Sequence, residues 1–319
     1  MQIATKKFIP VMLTPFTSSG EIDYHGLDRL TDLYLEAGAG GLFANCLSSE
    51  MYELSSSERL GVINRIVRRV NGAVPVVATG SFGHTIEAQA GFVKEVYATG
   101  VEAVILISSL LATEEEDDAT WQQRVEELLD RTPAIPFGFY ECPVPYKRVM
   151  SAAQLGWLGD TGRLRYHKDT CLDIDLVREK LAAVKEKDFG LYDAYMVHAV
   201  ESLKAGSAGL SCIQGNYLPE LVVWLCEHYA DSSSAGQVAE VQAFFMRNMD
   251  VMHRVYPVVA KYFLRERGLE ISAFTRRQVG IYTVEVRNAL EALLQEAKAL
   301  ERSLEITQVI SRSGDCRAR

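Results

Sequence analysis

The chain has 319 residues, of which 48% are hydrophobic and 24% charged, a balance typical of a globular protein with a sizeable core. Its formal net charge is −9 and its Lys and Arg residues form only short pairs, which argues against nucleic acid or an anionic membrane as a partner. Its 6 cysteines include no C-x-x-C pair, which argues against a zinc knuckle and favours reduced thiols in the cytoplasm. We expect neither a secretory signal peptide nor a membrane span, because no window reaches the roughly 18 apolar residues that a span needs.

Short apolar runs rich in β-branched residues recur along the chain, and longer amphipathic stretches lie between them. These runs predict strands at 8–14, 40–46, 74–80, 102–108, 135–141, 163–168, 189–193 and 208–213. Helical periodicity at 24–38 and 85–100 illustrates the intervening helices. Strands that alternate with helices indicate parallel strands joined by right-handed crossovers. Eight such units in about 230 residues predict an α/β fold, a (β/α)8 TIM barrel.

The alternative is an open doubly wound sheet, but the first strand is not followed by a G-x-G-x-x-G turn. Beyond the eighth unit, 217–230 and 235–302 show helical patterns, with breaks near 232–234, Pro257 and 271–275. One apolar stripe of the last helix comprises Leu290, Leu293, Leu294, Ala297 and Leu300. We therefore predict a barrel over 1–230, a C-terminal helical extension over 231–305 and a flexible tail over 306–319.

Candidate site residues are polar residues near the carboxyl ends of the strands, where barrel enzymes place their active sites. Lys168 ends the sixth predicted strand, and burial there would lower its pKa and free the amine to attack a carbonyl. On strand position alone, the pattern favours a solvated lysine or one paired with Asp169 or Glu141. Tyr140, on the neighbouring strand, is either a proton-transfer group or a core aromatic residue.

Several motifs in a fixed order carry a family resemblance. They are LTPF (13–16), GLFANCLSSE (41–50), VPVVATGS (74–81), FYECP (139–143), HKDT (167–170) and GLSCIQGN (209–216). Together they resemble the dihydrodipicolinate synthase / N-acetylneuraminate lyase family of pyruvate-dependent Schiff-base enzymes over roughly residues 8–300. The resemblance implies that Lys168 forms the Schiff base, that Tyr140 relays protons, and that Ser48 with adjoining backbone amides binds the substrate carboxylate.

The same resemblance leads us to expect Ser49, Leu47, Cys212 and Ile213 in the substrate-binding wall. It also exposes departures from the family pattern. Leu47 stands where the family has the first threonine of a Thr-Thr pair, and Leu110 and Leu111 stand where dihydrodipicolinate synthase has a second tyrosine. Pro145 replaces its carboxylate-binding arginine, for which Lys147 or Arg148 could substitute. A leucine cannot relay a proton and a proline cannot bind a carboxylate, so we expect a divergent member with another substrate.

The predicted function is a lyase of the class I aldolase type that acts on pyruvate or another 2-keto acid, without metal or organic cofactor. Its partners are a 2-keto acid, an aldehyde, and further copies of itself in a dimer or tetramer. Three alternatives stay open at this point. They are dihydrodipicolinate synthase activity proper, a barrel lyase that uses a divalent metal, and a keto-acid-binding protein with weak catalysis.

Overall fold

Eight parallel strands form the centre of the structure, a computed structural model that describes residues 5–310. The strands are β1 (Lys7–Phe8), β2 (Leu42–Ala44), β3 (Val76–Thr79), β4 (Ala103–Ile107), β5 (Phe137–Tyr140), β6 (Leu164–Asp169), β7 (Gly190–Asp193) and β8 (Gly209–Leu210). Each neighbours the next in sequence from β2 to β8, and β8 pairs with β1. A parallel bridge between Val11 and Phe43 joins the segment after β1 to β2. The TIM-barrel prediction is confirmed, and every predicted strand segment overlaps one of these strands, although β1 begins at Lys7 and β6 ends at Asp169, each one residue outside the predicted bounds.

Helices α1–α8 follow the strands one by one, as the alternating pattern predicts. They are α1 (Tyr24–Glu36), α2 (Ser56–Val70), α3 (Ile86–Tyr97), α4 (Asp118–Arg131), α5 (Ala152–Asp160), α6 (Ile174–Ala183), α7 (Ala199–Ala205) and α8 (Pro219–His228). Most of them begin at a side chain that accepts a hydrogen bond from the first turn. Ser55, for example, forms a capping box with Glu58 at the start of α2. Such local signals fix where each helix begins behind its strand.

The C-terminal extension contains four helices, which are α9 (Ala235–Arg247), α10 (Met249–His253), α11 (Val258–Arg267) and α12 (Val284–Ser303). The apolar stripe predicted for the last helix lies on α12, and all five of its members are buried. Within residues 5–310, no helix has the length and apolar character needed to cross a membrane. Residues 306–310 of the predicted tail include the buried Ile310, and Val309 N donates to the Glu220 carboxylate at 3.2 Å. Residues 311–319 of that tail lie outside the described part of the chain.

The predicted helix over 235–302 was wrong in one stretch. The structure interrupts it from 268 to 283, a longer break than the one expected at 271–275. Gly268 ends α11 with a φ of 107°, in the left-handed region that favours glycine. Within the break, the backbone N–H groups of Arg276 and Arg277 donate to the Glu50 carboxylate at 2.7 and 2.9 Å. These amides are therefore used for contacts with the barrel rather than for a helix.

Glu50 and Lys261 form a buried ion pair that joins the extension to the turn after β2. Both side chains are fully buried, and Lys261 Nζ lies 2.7 Å from the Glu50 carboxylate. Glu50 itself has a φ of 58°, so the chain reverses sharply at this point. Its carboxylate thus accepts hydrogen bonds from one lysine and two backbone amides of the extension. Because removing one partner would leave a buried charge unpaired, this contact fixes the extension against the barrel.

Candidate active site

Lys168 and Tyr140 lie side by side on adjacent strands. They are direct partners in the register between β5 and β6. Lys168 is 4% exposed and Tyr140 is 3% exposed. Lys168 Nζ lies 4.1 Å from the centre of the Tyr140 ring. Residue alternation along β6 therefore aims the amine into the barrel beside the phenol.

The Lys168 amine is buried without a carboxylate partner. Within residues 5–310, its Nζ has no hydrogen-bond or ion-pair partner. Burial lowers its pKa, an effect that the neighbouring thiols of Cys46 and Cys142 only partly oppose. The paired-lysine alternative is not what the structure shows, because Asp169 and Glu141 pair with Lys180 instead. The amine therefore has both the accessibility to the barrel interior and the lowered pKa of a nucleophile.

Four buried ionisable side chains lie on the other face of the same two strands. Lys180 Nζ lies 2.6 Å from the Glu141 carboxylate and 2.5 Å from the Asp169 carboxylate. His167 Nε2 is 3.4 and 3.6 Å from the same two carboxylates. Burial would raise the pKa of Asp169, but His167 and Lys180 hold it below its usual range. We call Glu141, His167, Asp169 and Lys180 the buried network.

Part of the buried network has the donor types of a metal site. Ligand atoms of Glu141, His167 and Asp169 all lie within 4.8 Å of one another. However, the Lys180 ammonium already lies between the two carboxylates, and their attraction raises its pKa despite burial. A charged lysine in the position of the cation makes this donor set a poor metal site. The network instead fixes β6, which carries Lys168.

Ser48 and Ser49 lie in a single turn of 3-10 helix after β2, but only one of them faces the barrel mouth. Ser48, 5% exposed, lines the cavity together with Leu47. The Ser49 hydroxyl donates to the Met12 carbonyl at 2.7 Å and accepts from the Cys46 N–H at 3.0 Å. Ser49 therefore holds the turn and is not among the residues that line the cavity. The available hydroxyl at this position belongs to Ser48.

Of the two residues expected in the wall after β8, only one lines the cavity. Ile213 lines the cavity, whereas Cys212 is fully buried behind it. Burial raises the pKa of the Cys212 thiol to about 12, so it stays protonated near neutral pH. Cys212 is thus an apolar support for the wall rather than a contact for a ligand.

A cavity of about 390 Å³ opens at the carboxyl ends of the strands, and it brings the expected residues together. Lys168, Tyr140, Ser48, Leu47 and Ile213 all belong to its lining. A volume of this size accommodates a small organic acid and its reaction partner. Five of the seven site residues predicted from widely separated motifs therefore share one pocket, and Ser49 and Cys212 lie outside it.

The extension supplies a further part of the cavity wall, which sequence reasoning missed. The cavity residues from the extension are Met249, Asp250, His253, Tyr256 and Arg277. None of these residues lies at the end of a strand. The expectation that active-site residues follow the carboxyl ends of strands, which identified the other residues, therefore could not identify them. Their helical spacing at 249, 253 and 256 was the one available signal, since it places them on one face of a helical segment. The extension is thus part of the candidate site and not only a packing element.

The residues at positions that depart from the family pattern differ in whether they line the cavity. Lys147 lines the cavity, whereas the Arg148 guanidinium is engaged by the Asp118 carboxylate at 2.8 Å and by the Tyr146 hydroxyl at 3.1 Å. Leu111 is buried in the core and does not line the cavity of this chain. Of the two cations proposed to replace the missing arginine, Lys147 is the one placed at the pocket.

Comparisons with known proteins show what the chain is similar to in sequence. The model of the dihydrodipicolinate synthetase family matches residues 4–297. A 4-hydroxy-tetrahydrodipicolinate synthase of Oceanobacillus iheyensis is 25% identical over 273 residues, covering 83% of this chain and 88% of that protein. One of Ruegeria pomeroyi is 26% identical over 296 residues, covering 92% and 95%.

Solved structures show the same fold at lower sequence identity. YagE, a prophage protein of the dihydrodipicolinic acid synthase family from E. coli K12 solved in complex with pyruvate, has a TM-score of 0.82 at 21% identity, with 92% of this chain and 98% of that chain covered. A structure described as the first monomeric dihydrodipicolinate synthase variant has a TM-score of 0.83 at 19% identity, with 92% and 97% covered.

Proposed function

Because this chain belongs to the dihydrodipicolinate synthetase family, a family of pyruvate-dependent lyases, we propose that Lys168 forms a Schiff base with pyruvate or another 2-keto acid. The observation that carries this proposal is the buried Lys168 amine, without a carboxylate partner and 4.1 Å from the Tyr140 ring. Its lowered pKa supports attack on a ketone at neutral pH. The reaction class is aldol cleavage or formation of a C–C bond, or dehydration of a sugar acid.

The chemistry uses residues of this chain alone. The neutral amine of Lys168 attacks the C2 carbonyl, and the resulting carbinolamine loses water to give an iminium. The iminium withdraws electrons from C3, so C3 can lose a proton, or a carbon substituent as an aldehyde, to leave an enamine. Tyr140, whose pKa is raised by burial and by neighbouring thiols, stays a neutral phenol that can donate and accept the protons of these steps.

Ser48 is proposed to bind the carboxylate of the keto acid. It lies in the turn after β2, on the wall of the same cavity that Lys168 lines. The backbone N–H groups of Ser49 and Glu50 donate to carbonyls within the same turn, so the hydroxyl of Ser48 is the group proposed to contact the carboxylate. Leu47, next to Ser48, contributes only an apolar contact.

We propose that the second substrate, which reacts with the lysine-bound keto acid, differs from that of the named relatives. The hydroxyl and the guanidinium expected of dihydrodipicolinate synthase are replaced by Leu47 and Pro145, and Leu111 lies in the core. The activity for which the relatives are named, 4-hydroxy-tetrahydrodipicolinate synthase, is the second candidate because their sequences cover most of this chain. Formation of that product from purified protein would decide for it. Binding of keto acids without any turnover would favour a binding protein.

The assembly and location stay predictions. We propose a dimer or tetramer of the chain in the cytoplasm. The unpaired thiols of Cys46, Cys142, Cys171, Cys212 and Cys226 support a reducing compartment. Size-exclusion chromatography with light scattering tests the oligomeric state, and one similar solved structure is itself described as monomeric.

Trapping tests the proposed Schiff base directly. The protein is incubated with pyruvate, reduced with borohydride, digested, and analysed by mass spectrometry to locate the modified peptide. We expect the adduct on Lys168. Labelling confined to surface lysines, at the level seen with denatured protein, would rule the proposal out.

Tyr140→Phe tests the proton-transfer role. The variant keeps the ring against Lys168, so the pyruvate concentration for half-maximal trapping should change by less than about twofold. Exchange of the pyruvate methyl protons with deuterated water, which requires proton removal from C3, should slow roughly 100- to 10,000-fold. The exchange is followed by proton NMR. Tyr282→Phe, which alters a tyrosine outside the cavity, is the control, and equal exchange rates for both variants would remove Tyr140 from the mechanism.

The pH dependence of trapping tests the state of the amine. Only the uncharged amine attacks the ketone, and burial lowers the pKa of Lys168. The initial labelling rate should therefore reach half its maximum at a pH below the value of about 10.4 that is usual for lysine. Nα-acetyl-lysine treated in parallel provides the reference curve. Coincidence of the two curves would show that the amine is solvated.

A further inference from the structure

Arg276 and Arg277 are neighbours in the break of the extension, but only one of them has a bonded side chain. The Arg276 guanidinium lies 2.7 and 3.0 Å from the two Glu58 carboxylate oxygens. It also donates to the carbonyls of Gly20 and Glu53 at 2.9 and 3.1 Å. The Arg277 side chain instead lines the cavity, and its guanidinium has no hydrogen-bond, ion-pair or ring partner within residues 5–310. Arg277 therefore has its five N–H donors left for a ligand.

Backbone contacts, not side-chain contacts, hold Arg277 at the cavity. Its N–H donates to the Glu50 carboxylate at 2.9 Å, and its carbonyl accepts from the Thr275 hydroxyl at 3.2 Å. Burial raises the pKa of the Glu53 carboxyl and the charge of Arg277 opposes part of that rise, but the two side chains form no ion pair. Arg277 is thus a partly buried cation without a bonded counter-ion. Because such a cation has lost hydration without gaining a partner, an anion bound beside it would be stabilised.

The charges of the cavity wall also favour an anion. Its ionisable side chains other than tyrosine are Lys147, Lys168, Asp250, His253 and Arg277. Lys168 reacts as an uncharged amine, which leaves two cations, Lys147 and Arg277, against the single carboxylate of Asp250. Asp250 forms no ion pair with either cation. In a chain whose formal net charge is −9, the cavity is therefore a local site of positive charge, which attracts negatively charged ligands.

We propose that Arg277 is a specificity-determining residue that binds a carboxylate or phosphate group of the second substrate, the aldehyde that the lysine-bound keto acid gains or releases. The inference rests on the proposed function of the site and names the chemical class of that aldehyde. The carboxylate of the keto acid is already assigned to Ser48, so the anion at Arg277 belongs to the other reactant. A guanidinium binds either group through two parallel hydrogen bonds, which a neutral aldehyde cannot accept in the same way.

The experiment measures anion binding while the keto-acid position is filled. The protein is first labelled with pyruvate and borohydride, so that Lys168 carries the reduced adduct. Isothermal titration calorimetry then compares two pairs of unreactive probes, 4-hydroxybutanoate with 4-hydroxybutanamide and glycerol 3-phosphate with glycerol. We expect the wild type to bind at least one anion roughly tenfold or more tightly than its neutral counterpart, the scale of hydrogen bonds to a charged group. The pair with the larger ratio identifies the anion as carboxylate or phosphate.

Arg277→Met should remove this preference. Its affinity for the preferred anion should fall about tenfold or more, whereas its affinity for the neutral probe should change by less than about twofold. Arg277→Lys should retain part of the preference, because an ammonium keeps the charge without the fork of donors. The pyruvate concentration for half-maximal labelling of Lys168 should stay at the wild-type value in both variants, since the Glu50 anchor uses the backbone amide of Arg277 and not its side chain.

Arg68→Met is the matched control, since Arg68 is an exposed arginine outside the cavity and its loss changes the net charge equally. A wild type without anion preference, a preference that survives Arg277→Met, or an equal loss in Arg68→Met would overturn the role of Arg277. Equal losses for an anion and its neutral counterpart, or weaker labelling of Arg277→Met by pyruvate, would do so as well. In each of these cases the wild-type adduct at Lys168 upholds the proposed function. Absence of that adduct from the wild type would instead overturn the proposed function, and this inference with it.

Discussion

Lys168→Ala is expected to abolish labelling by pyruvate and borohydride and to reduce pyruvate proton exchange by at least about 1,000-fold. No second amine with the same surroundings can replace it: Lys180 is held by two carboxylates on the opposite face of β6, and Lys147 is exposed. Loss of a covalent nucleophile removes the whole iminium pathway rather than one interaction within it. Both effects are measured with the trapping and NMR assays described above.

The Lys168→Ala protein should stay folded. Burial disfavours the charged amine, as its lowered pKa shows, so removing the amine removes an unfavourable desolvation along with its packing contacts. The free energy of unfolding in urea should therefore fall only modestly. Lys147→Ala, which changes another lysine of the same cavity, is the matched control and should still carry the adduct on Lys168. Proton exchange by Lys168→Ala at the wild-type rate would refute the role of Lys168.

Lys180→Met is expected to lower the free energy of unfolding by about 3–5 kcal/mol, a large part of the stability of a typical domain. The substitution keeps the volume of the side chain but removes the ammonium between the fully buried carboxylates of Glu141 and Asp169, which then have only the His167 imidazole beside them. Urea denaturation at neutral pH measures the change. Lys187→Met, which breaks the more exposed ion pair with Asp160, is the control and should cost less than about 1 kcal/mol.

The effect of Lys180→Met should depend on pH in a defined direction. The pKa of Asp169 and that of Glu141 are both lowered in the folded protein. Their contribution to stability is therefore present above the unfolded values of about 4 and is lost as the pH falls below them. The difference between wild type and variant should accordingly shrink in acid. A difference that is small at neutral pH, or that grows in acid, would contradict the account of the buried network.

The strands could be predicted because each is a local pattern of buried apolar residues. The segment of β6, LRYHKD, is polar, yet β6 is the longest of the eight strands, with 6 residues. Tyr166 and Lys168 face the barrel interior, whereas His167 and Asp169 face Lys180 on the other side. Its polar residues are compatible with a buried strand because partners from another element satisfy them. Those partners could not be read from the strand alone.

Site residues could be predicted only where they lie near the carboxyl end of a strand. Lys168, Tyr140 and Ser48 come directly from strand ends, so their convergence follows from the barrel topology. Tyr256 and Arg277 come from the extension, and their position depends on how α10 and the break at 268–283 lie against the barrel. Helical periodicity identifies a buried face but not the surface that covers it. The break itself was underestimated because its cause, Glu50, lies more than 200 residues away.

The Glu50 contact has a consequence for how such a protein could acquire new specificity. The carboxylate anchors the extension through Lys261 and two backbone amides, none of which needs a particular side chain at the residues that line the cavity. Substitutions at 249, 250, 253 or 277 can thus alter what the pocket admits while the anchor keeps the docking angle constant. The reacting amine would be inherited unchanged while the recognition wall diversifies around it.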